Sequence, residues 1–527
     1  MCLLILPVLV SARQLAAQDP AADNPLKNRE KKNRSAALKQ FGGTKKTERA
    51  VADGLEWLAD HQRRDGVWDR KTFDQCCPAD DRCTQTAIAD LHREADVGVS
   101  AMAALAFLGA GYTHENGPYG EHLSRVFSYI LAQQSRDGSF SAGSSYQNYN
   151  DAIAAIAIAE SYILTKDPIL RRPLERVIDK LVSCQQREGG WDLTDDISTG
   201  RNDSSVSSWV LMACKSARAA GVGGPLDTRI KLLAHYDHAT LANGRVWHAN
   251  KRERDLDKPA NPRELDIADR GYGPGSTATG LYARAAFGLR LDDPLAEKQV
   301  DLLLAELPSL KDRIRPATTA WHNEYYWYYG TMAMFNVGGE PWRRWNEALR
   351  TTILEQQERP VTPKGKHRHS FGSWPAFGPG WGEWGRSGGR IYATAINVLT
   401  LEIYYRYIPA YLSPQDSSDR SSFARSGNRS RRATMGMCSS WRHDCIPTRE
   451  SRSSSNFLNR RTQMPGSTPH WHSPNMLPRS AAAHCLRNAT GRWATNARSS
   501  SARSEEFLRS RNHANTDVSP PSIHRRK

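Results

Sequence analysis

The chain has 527 residues, 39% of them hydrophobic and 15 of them Trp, enough for one large core, with a formal charge of +16. The charge is uneven: residues 413–527 hold 20 basic and 7 acidic groups, which leaves 52 and 49 in the 412 residues before them. A body so close to neutral gives no net-charge signal of nucleic-acid binding, and no nucleic-acid partner is expected of it.

In chain order, Cys2 to Val10 is an unbroken apolar run followed by the small residues Ser11, Ala12, Ala16 and Ala17. Residues 1–18 therefore read as a signal-peptide-like segment without a basic n-region, and the protein is expected to be exported, periplasmic or extracellular. No other run approaches the roughly 20 apolar residues of a membrane span, so no transmembrane segment is expected. Residues 19–49, rich in Lys, Arg, Asn and Gly, read as a basic linker.

From Ala50 two kinds of helix alternate. Pro173 to Gln186 carries a stripe of Leu174, Val177, Ile178, Leu181 and Val182, with charged residues on its other face. Asp151 to Leu164 is apolar all round, and a helix of that kind must be buried on every side. Amphipathic members are expected near 48–62, 119–134, 170–186, 226–240, 293–306 and 341–357. Apolar members are expected near 96–110, 150–164, 204–220, 276–288, 323–337 and 389–405. Six outer helices around six inner ones predict an all-α (α/α)6 toroid over 50–412, with long inserted loops.

A turn recurs after the outer helices. Its copies are Gln62 to Trp68, Gln134 to Phe140, Gln186 to Trp191 and, split by an insert, Gln356-Gln357 with Gly372-Ser373-Trp374. A fainter copy, Asn243 to Trp247, lacks the Gln. Repetition of this kind points to a repeat architecture; the aromatic ring fills space and the Gln amide satisfies helix-end carbonyls. After Leu412 the pattern stops. Residues 413–527 hold 23 Ser and 19 Arg against one Lys, and read as a disordered or artefactual tail.

Outside the signal-like segment and the tail only five cysteines remain, Cys76, Cys77, Cys83, Cys184 and Cys214. In an oxidising compartment Cys76, Cys77 and Cys83 read as one disulfide plus a leftover thiol rather than a metal site. No metal site and no cofactor is assigned.

These turns, with Asp203 to Trp209, Ser276 to Gly280, Glu324 to Tyr329, Gly388 to Ala395 and Leu401 to Tyr407, resemble the prenyltransferase and squalene-cyclase repeat superfamily of terpenoid cyclases, in an uncharacterised secreted bacterial branch. The resemblance covers roughly Ala50 to Leu412 and implies the toroid. It also implies an isoprenoid-like ligand, but two motifs depart from it. Triterpene cyclases use an Asp-x-Asp-Asp acid, whereas Asp192-Leu193-Thr194-Asp195-Asp196 has another spacing. The prenyltransferase zinc site, an Asp-x-Cys pair plus a His, is not matched by Asp74-Gln75-Cys76 or Asp81-Arg82-Cys83, which lie in the first long loop.

Polar residues that open the inner helices face the central cavity of such a fold. Asp151, Asp203 and Glu324 are the candidate catalytic acids, since a carboxyl beside aromatic rings acquires a raised pKa. Asp96, Asn150, Ser204, Tyr325, Tyr328, Tyr329, Arg390 and Tyr392 are the candidate ligand-binding residues, with Arg390 as an anion clamp. Helix capping is the competing role for Asp, Asn, Ser and Thr at these positions. The insert from Glu358 to Gly389, with Gly378 to Gly385 rich in Gly and Trp, reads as a lid or binding edge, or equally as a decorated structural loop. The expected function is binding, with or without transformation, of a lipophilic isoprenoid-type molecule. The alternatives are a non-catalytic toroid that engages a protein partner and a carbohydrate-active (α/α)6 enzyme.

Overall fold

The computed structural model describes residues 26–88, 96–224, 226–249, 274–286, 293–310, 323–359, 368–376 and 383–407. The signal-like segment, the tail, most of the insert after Trp247 and Gly378 to Trp381 lie outside them.

A short helix α1 (Lys31–Phe41) precedes the repeats. The outer helices are α2 (Lys45–Asp60), α4 (Gly120–Ala132), α6 (Arg171–Ser183), α8 (Leu226–Ala239), α10 (Pro294–Ala305) and α12 (Gly339–Gln356). The inner helices are α3 (Asp96–Gly109), α5 (Gln147–Thr165), α7 (Ser204–Ala219), α9 (Pro274–Ala286), α11 (Glu324–Val337) and α13 (Glu383–Leu401). A single turn, α14 (Ile403–Arg406), ends the described chain. Among the described residues there is no strand, only isolated bridges. No helix there is long and apolar enough to cross a membrane.

The inner helices form a closed circuit: α3 packs on α5, α5 on α7, α7 on α9, α9 on α11, α11 on α13, and α13 back on α3. Each outer helix lies against this ring, and α2, first in the chain, packs on α13, the last inner helix. The expected six-outer, six-inner toroid is the observed fold. The division follows from side chains: on α6 only Leu174, Val177, Ile178 and Leu181 are buried, whereas Ala152 to Ser161 of α5 are buried without a break.

The recurring turn laces neighbouring repeats together. Gln62 Nε2 donates to Gly66 O and to His122 O on the next outer helix, both at 3.0 Å. Gln134 does the same with Gly138 O and Pro173 O, and Gln357 with Gly372 O and Ala50 O. In the third copy the lacing residue is Gln185, which reaches Gly189 O and Thr228 O at 2.8 and 2.9 Å. Gln186, read as the repeat Gln, donates instead to Asp196 O. The spacing explains the correction, because in each uninterrupted copy the Gln stands four residues before the Gly. The Gly has a positive φ, 98° at Gly189, and a Cβ there would lie 2.0 Å from Lys231 O. The indole of Trp68, Trp191 and Trp374 donates to Leu58, Leu181 and Ile353 O at 2.7 to 2.8 Å, tying each turn to its own outer helix.

Residues 26–49, expected as linker, belong to the folded body. Thr44 caps α2 through a reciprocal pair with Thr47, Phe41 is buried, and buried Arg29 meets Glu160 at 2.8 Å. A Lys-rich composition masked three widely spaced anchors, Leu26, Ala37 and Phe41. The last inner helix also begins earlier than expected, at Glu383, with a break at Gly389, whose φ is 64°.

Candidate functional site

The N-terminal ends of the inner helices surround a cleft whose open space, counted out to the solvent at its mouth, is about 560 Å³. Val99 and Met102 come from α3, Tyr149, Asn150 and Ile153 from α5, and Trp209 from α7. Tyr325 comes from α11, and Trp384, Ser387, Gly388 and Tyr392 from α13. Its wall is almost wholly apolar, and no carboxylate is among the described lining residues. At the mouth Trp384 meets Tyr149 and Tyr146 edge-on, with ring centroids 5.1 and 5.9 Å away. Gly98 allows the closeness of α3 and α5: a Cβ there would lie 2.4 Å from Asn150 Oδ1.

The floor is a layer of rings. Tyr328 stacks on Trp209 at 5.6 Å, and Tyr329 stands edge-on to Trp209 at 5.7 Å and tilted against Tyr325 at 4.9 Å. Tyr329 donates to Met212 Sδ. A second cavity of about 640 Å³ lies at the C-terminal ends of the inner helices, where Met212, Tyr282 and Glu160 line it. Burial alone would raise the Glu160 carboxyl, but Arg29 and Arg406 hold it below its ordinary value.

Polar groups around the cleft differ in how far they are committed. Tyr149 shares a short hydrogen bond with Ser205 Oγ, and Ser205 Oγ donates to Asp203 Oδ1 at 2.5 Å. Tyr325 is within 3.4 Å of Ser208 Oγ. The buried Tyr392 hydroxyl has no hydrogen-bond partner among the described residues. Burial pushes all three phenols well above their usual range, which leaves them as neutral donors.

Of the expected ligand-binding residues, Asn150, Tyr325 and Tyr392 line the cleft. Tyr328 and Tyr329 lie in the ring layer described above. Asp96 faces away toward Arg70 at 3.3 Å. Ser204 donates to Trp247 O at 2.7 Å. Arg390 is no free anion clamp: its guanidinium donates to Thr84 O, Ser373 Oγ and Gln85 Oε1.

The three candidate acids part in the same way. Asp203 caps α7 through Ser205 N and Val206 N, and its other oxygen meets Arg201 at 2.6 Å and His248 at 3.3 Å. Burial opposes its charge, yet His248 and Arg201 hold it below the ordinary carboxylate value. Asp151 accepts Phe140 N at 2.8 Å and Ser141 Oγ at 3.2 Å, so it pins the preceding turn, and burial lifts it to about 6. Glu324 is buried at the start of α11. Burial lifts its carboxyl to about 8, opposed only by its own backbone N–H. It lies near enough to Tyr392 to raise that phenol.

Sequence reasoning left out Trp209, Tyr149 and Tyr146 as lining residues, although Trp209 closes the quoted Asp203 to Trp209 segment and Tyr149 precedes Asn150. A second group missed by sequence lies behind the cleft wall, where His61, Cys77, Cys83 and His369 converge. Cys76, Cys77 and Cys83 are all free thiols here, not joined by the expected disulfide.

No protein-family model and no curated protein matches the sequence. Among solved structures, the chain is similar to the α-1,6-mannanase GH76A of Salegentibacter sp. HEL1_6, with 12% identity over 69% of this chain and 99% of that one and a TM-score of 0.46. It is also similar to the type II terpene cyclase MstE from Scytonema, with 14% identity over 68% and 98% and a TM-score of 0.41. The unsaturated glucuronyl hydrolase of Bacillus sp. GL1 aligns with 13% identity over 67% and 96% and a TM-score of 0.45. Likenesses this weak leave activity to the chemistry of the cleft.

Proposed function

We propose that the cleft binds a lipophilic, isoprenoid-type molecule and that Glu324 supplies an acidic proton at its edge. The observation that carries this reading is the lining of rings and aliphatic side chains, with the Tyr392 hydroxyl, unpartnered among the described residues, as its polar handle. Polyprenyl chains present double bonds that stack on aromatic faces, and any cation formed by protonation is stabilised by those faces. A carboxyl that stays neutral at neutral pH is a donor rather than an acceptor, which suits acid activation of an alkene or an allylic oxygen. The exported location expected from Cys2 to Val10 belongs to the same proposal.

A second reading draws on the same rings. Tyr146, Tyr149 and Trp384 at the mouth form a platform on which a sugar face stacks. Hydrolysis by two carboxylates needs a pair roughly 5 to 10 Å apart across the ligand, and the described lining contains none. Binding to a partner protein through the long loops is the third alternative.

Titration of the full chain with farnesol and geranylgeraniol, read by quenching of tryptophan fluorescence, separates these readings. Saturable binding at micromolar concentration that Ile153→Trp abolishes, in a variant of unchanged melting temperature, supports the lipid site. Binding of α-1,6-mannotetraose with indifference to both prenyl alcohols would overturn it in favour of the sugar. Indifference to all three would leave the protein-partner alternative.

A further inference from the structure

We propose that His61, Cys77, Cys83 and His369 form a closed structural zinc site that clasps the first repeat to the last. His61 Nε2 lies 3.3 Å from Cys77 Sγ, 3.4 Å from Cys83 Sγ and 3.0 Å from His369 Nδ1. Cys83 Sγ and His369 Nδ1 are 3.9 Å apart, and all four donor atoms lie within 4.8 Å of one another. Around a tetrahedral zinc, with bonds of about 2.0 to 2.1 Å to nitrogen and 2.3 Å to sulfur, neighbouring ligand atoms sit about 3.3 to 3.8 Å apart. The observed edges bracket that range.

Hydrogen bonding alone does not account for the convergence. His61 Nδ1 is 2.6 Å from Trp57 O. A carbonyl only accepts, so Nδ1 carries the proton and Nε2 presents its lone pair to the cluster. Two thiols and a second imidazole then crowd one lone pair, which a hydrogen bond from any one of them would satisfy. A cation at the centre takes a lone pair from each of the four groups. The surroundings orient them for it. Trp57 O fixes the His61 tautomer, Cys83 N donates to Cys77 Sγ at 3.3 Å, and His369 N donates to Asp81 Oδ2 at 2.6 Å. The Trp57 indole stacks on His61 at 4.0 Å and shields that side.

Ligand type and count decide the role. Two thiolates and two imidazoles suit zinc, and four protein ligands leave no open position for a substrate. Placement decides the consequence. His61 is the residue that ends α2, Cys77 and Cys83 lie in the loop beyond its turn, and His369 belongs to the last insert. Directly after Cys83 the chain meets the final inner helix: Gln85 O accepts Arg390 N at 3.0 Å, and Ile88 N donates to Arg386 O at 3.0 Å. Ser387, Gly388 and Tyr392, beside those contacts, line the cleft. The metal therefore secures both the seam and the wall beside it.

The test is metal analysis of the full chain purified without chelator, paired with cobalt exchange. About one zinc per chain is expected. The cobalt form is expected to show tetrahedral d–d bands and thiolate-to-cobalt charge transfer. Cys83→Ser and His369→Gln should each weaken metal affinity roughly tenfold or more, while Cys76→Ser, outside the cluster, should leave it unchanged. If the ligand variants do not fold, chelation of the wild-type protein should lower its melting temperature, and zinc should restore it. Substoichiometric metal with no cobalt spectrum after reloading would overturn the site, and so would a Cys77–Cys83 disulfide in non-reduced peptide mapping.

Discussion

Glu324 is a buried carboxyl with no cation beside it among the described residues to stabilise its charge, so its folded pKa of about 8 stands above the 4.5 of an unperturbed group. For a raised carboxyl the linkage has a fixed sign. Its contribution to stability is complete below about 4.5 and is lost as pH rises through about 8. Urea denaturation followed from mildly acidic to mildly alkaline pH should show stability falling by a few kcal/mol, at about 1.4 kcal/mol per pKa unit. Glu324→Gln should remove most of that slope, and an unchanged slope would show that the carboxyl is not held neutral. Asp203 behaves oppositely, because its depressed carboxyl stabilises the fold above its unfolded value and that stability is lost on acidification. Asp203→Asn should therefore destabilise at neutral pH and narrow the difference from wild type in acid. Both residues open an inner helix, a position legible in the helical periodicity. Which of them keeps its charge was not legible, since Arg201 stands two residues before Asp203 but His248 comes from a distant insert. Arg390 shows the same limit, because its partners Thr84 and Gln85 are more than 300 residues away.

Among elements, the Gln amide is the joint between one repeat and the next. Gln357→Ala leaves the Gly372 carbonyl without its side-chain donor and removes the cross-repeat bond to Ala50 O, which keeps its place in the α2 ladder. A buried orphan costs about 1 to 3 kcal/mol, and a loss of that size is expected in chemical denaturation. Gly189→Ala should cost at least as much, because it combines a positive φ with a Cβ 2.0 Å from Lys231 O. The turns and the two helix classes were readable in the sequence because periodicity and local spacing encode them. The assignment of Gln186 failed where two glutamines adjoin and only the four-residue spacing to Gly189 selects Gln185. The N-terminal helix was missed because its anchors, Leu26, Ala37 and Phe41, sit among charged residues and find their partners on other repeats. The cluster of His61, Cys77, Cys83 and His369 is invisible for the related reason that His369 lies 286 positions after Cys83.

As a whole, the body is a circuit rather than a stack. In an open solenoid each repeat touches its neighbours and the ends are free, whereas here α13 returns to α3 and α2 packs on α13. Unfolding of residues 26–407 should accordingly be a single calorimetric transition, with van't Hoff and calorimetric enthalpies in agreement. A chain truncated before Gly339, which deletes the last repeat, should lose that cooperativity and expose apolar faces to a dye such as ANS. Two separate transitions in the intact body would contradict this picture.

The proximity of the two ends of the described chain has its own consequence. Arg29 Nε donates to Arg406 O at 3.2 Å, so the first and last described segments already touch. In a ring whose closing seam is laced by Gln357 as earlier ones are by Gln62, Gln134 and Gln185, the place where the polypeptide starts is incidental to the packing. A short covalent link between those ends would free the chain to begin at another turn. The same hexagon would then be drawn from a different corner, with the cleft and the clasp both intact.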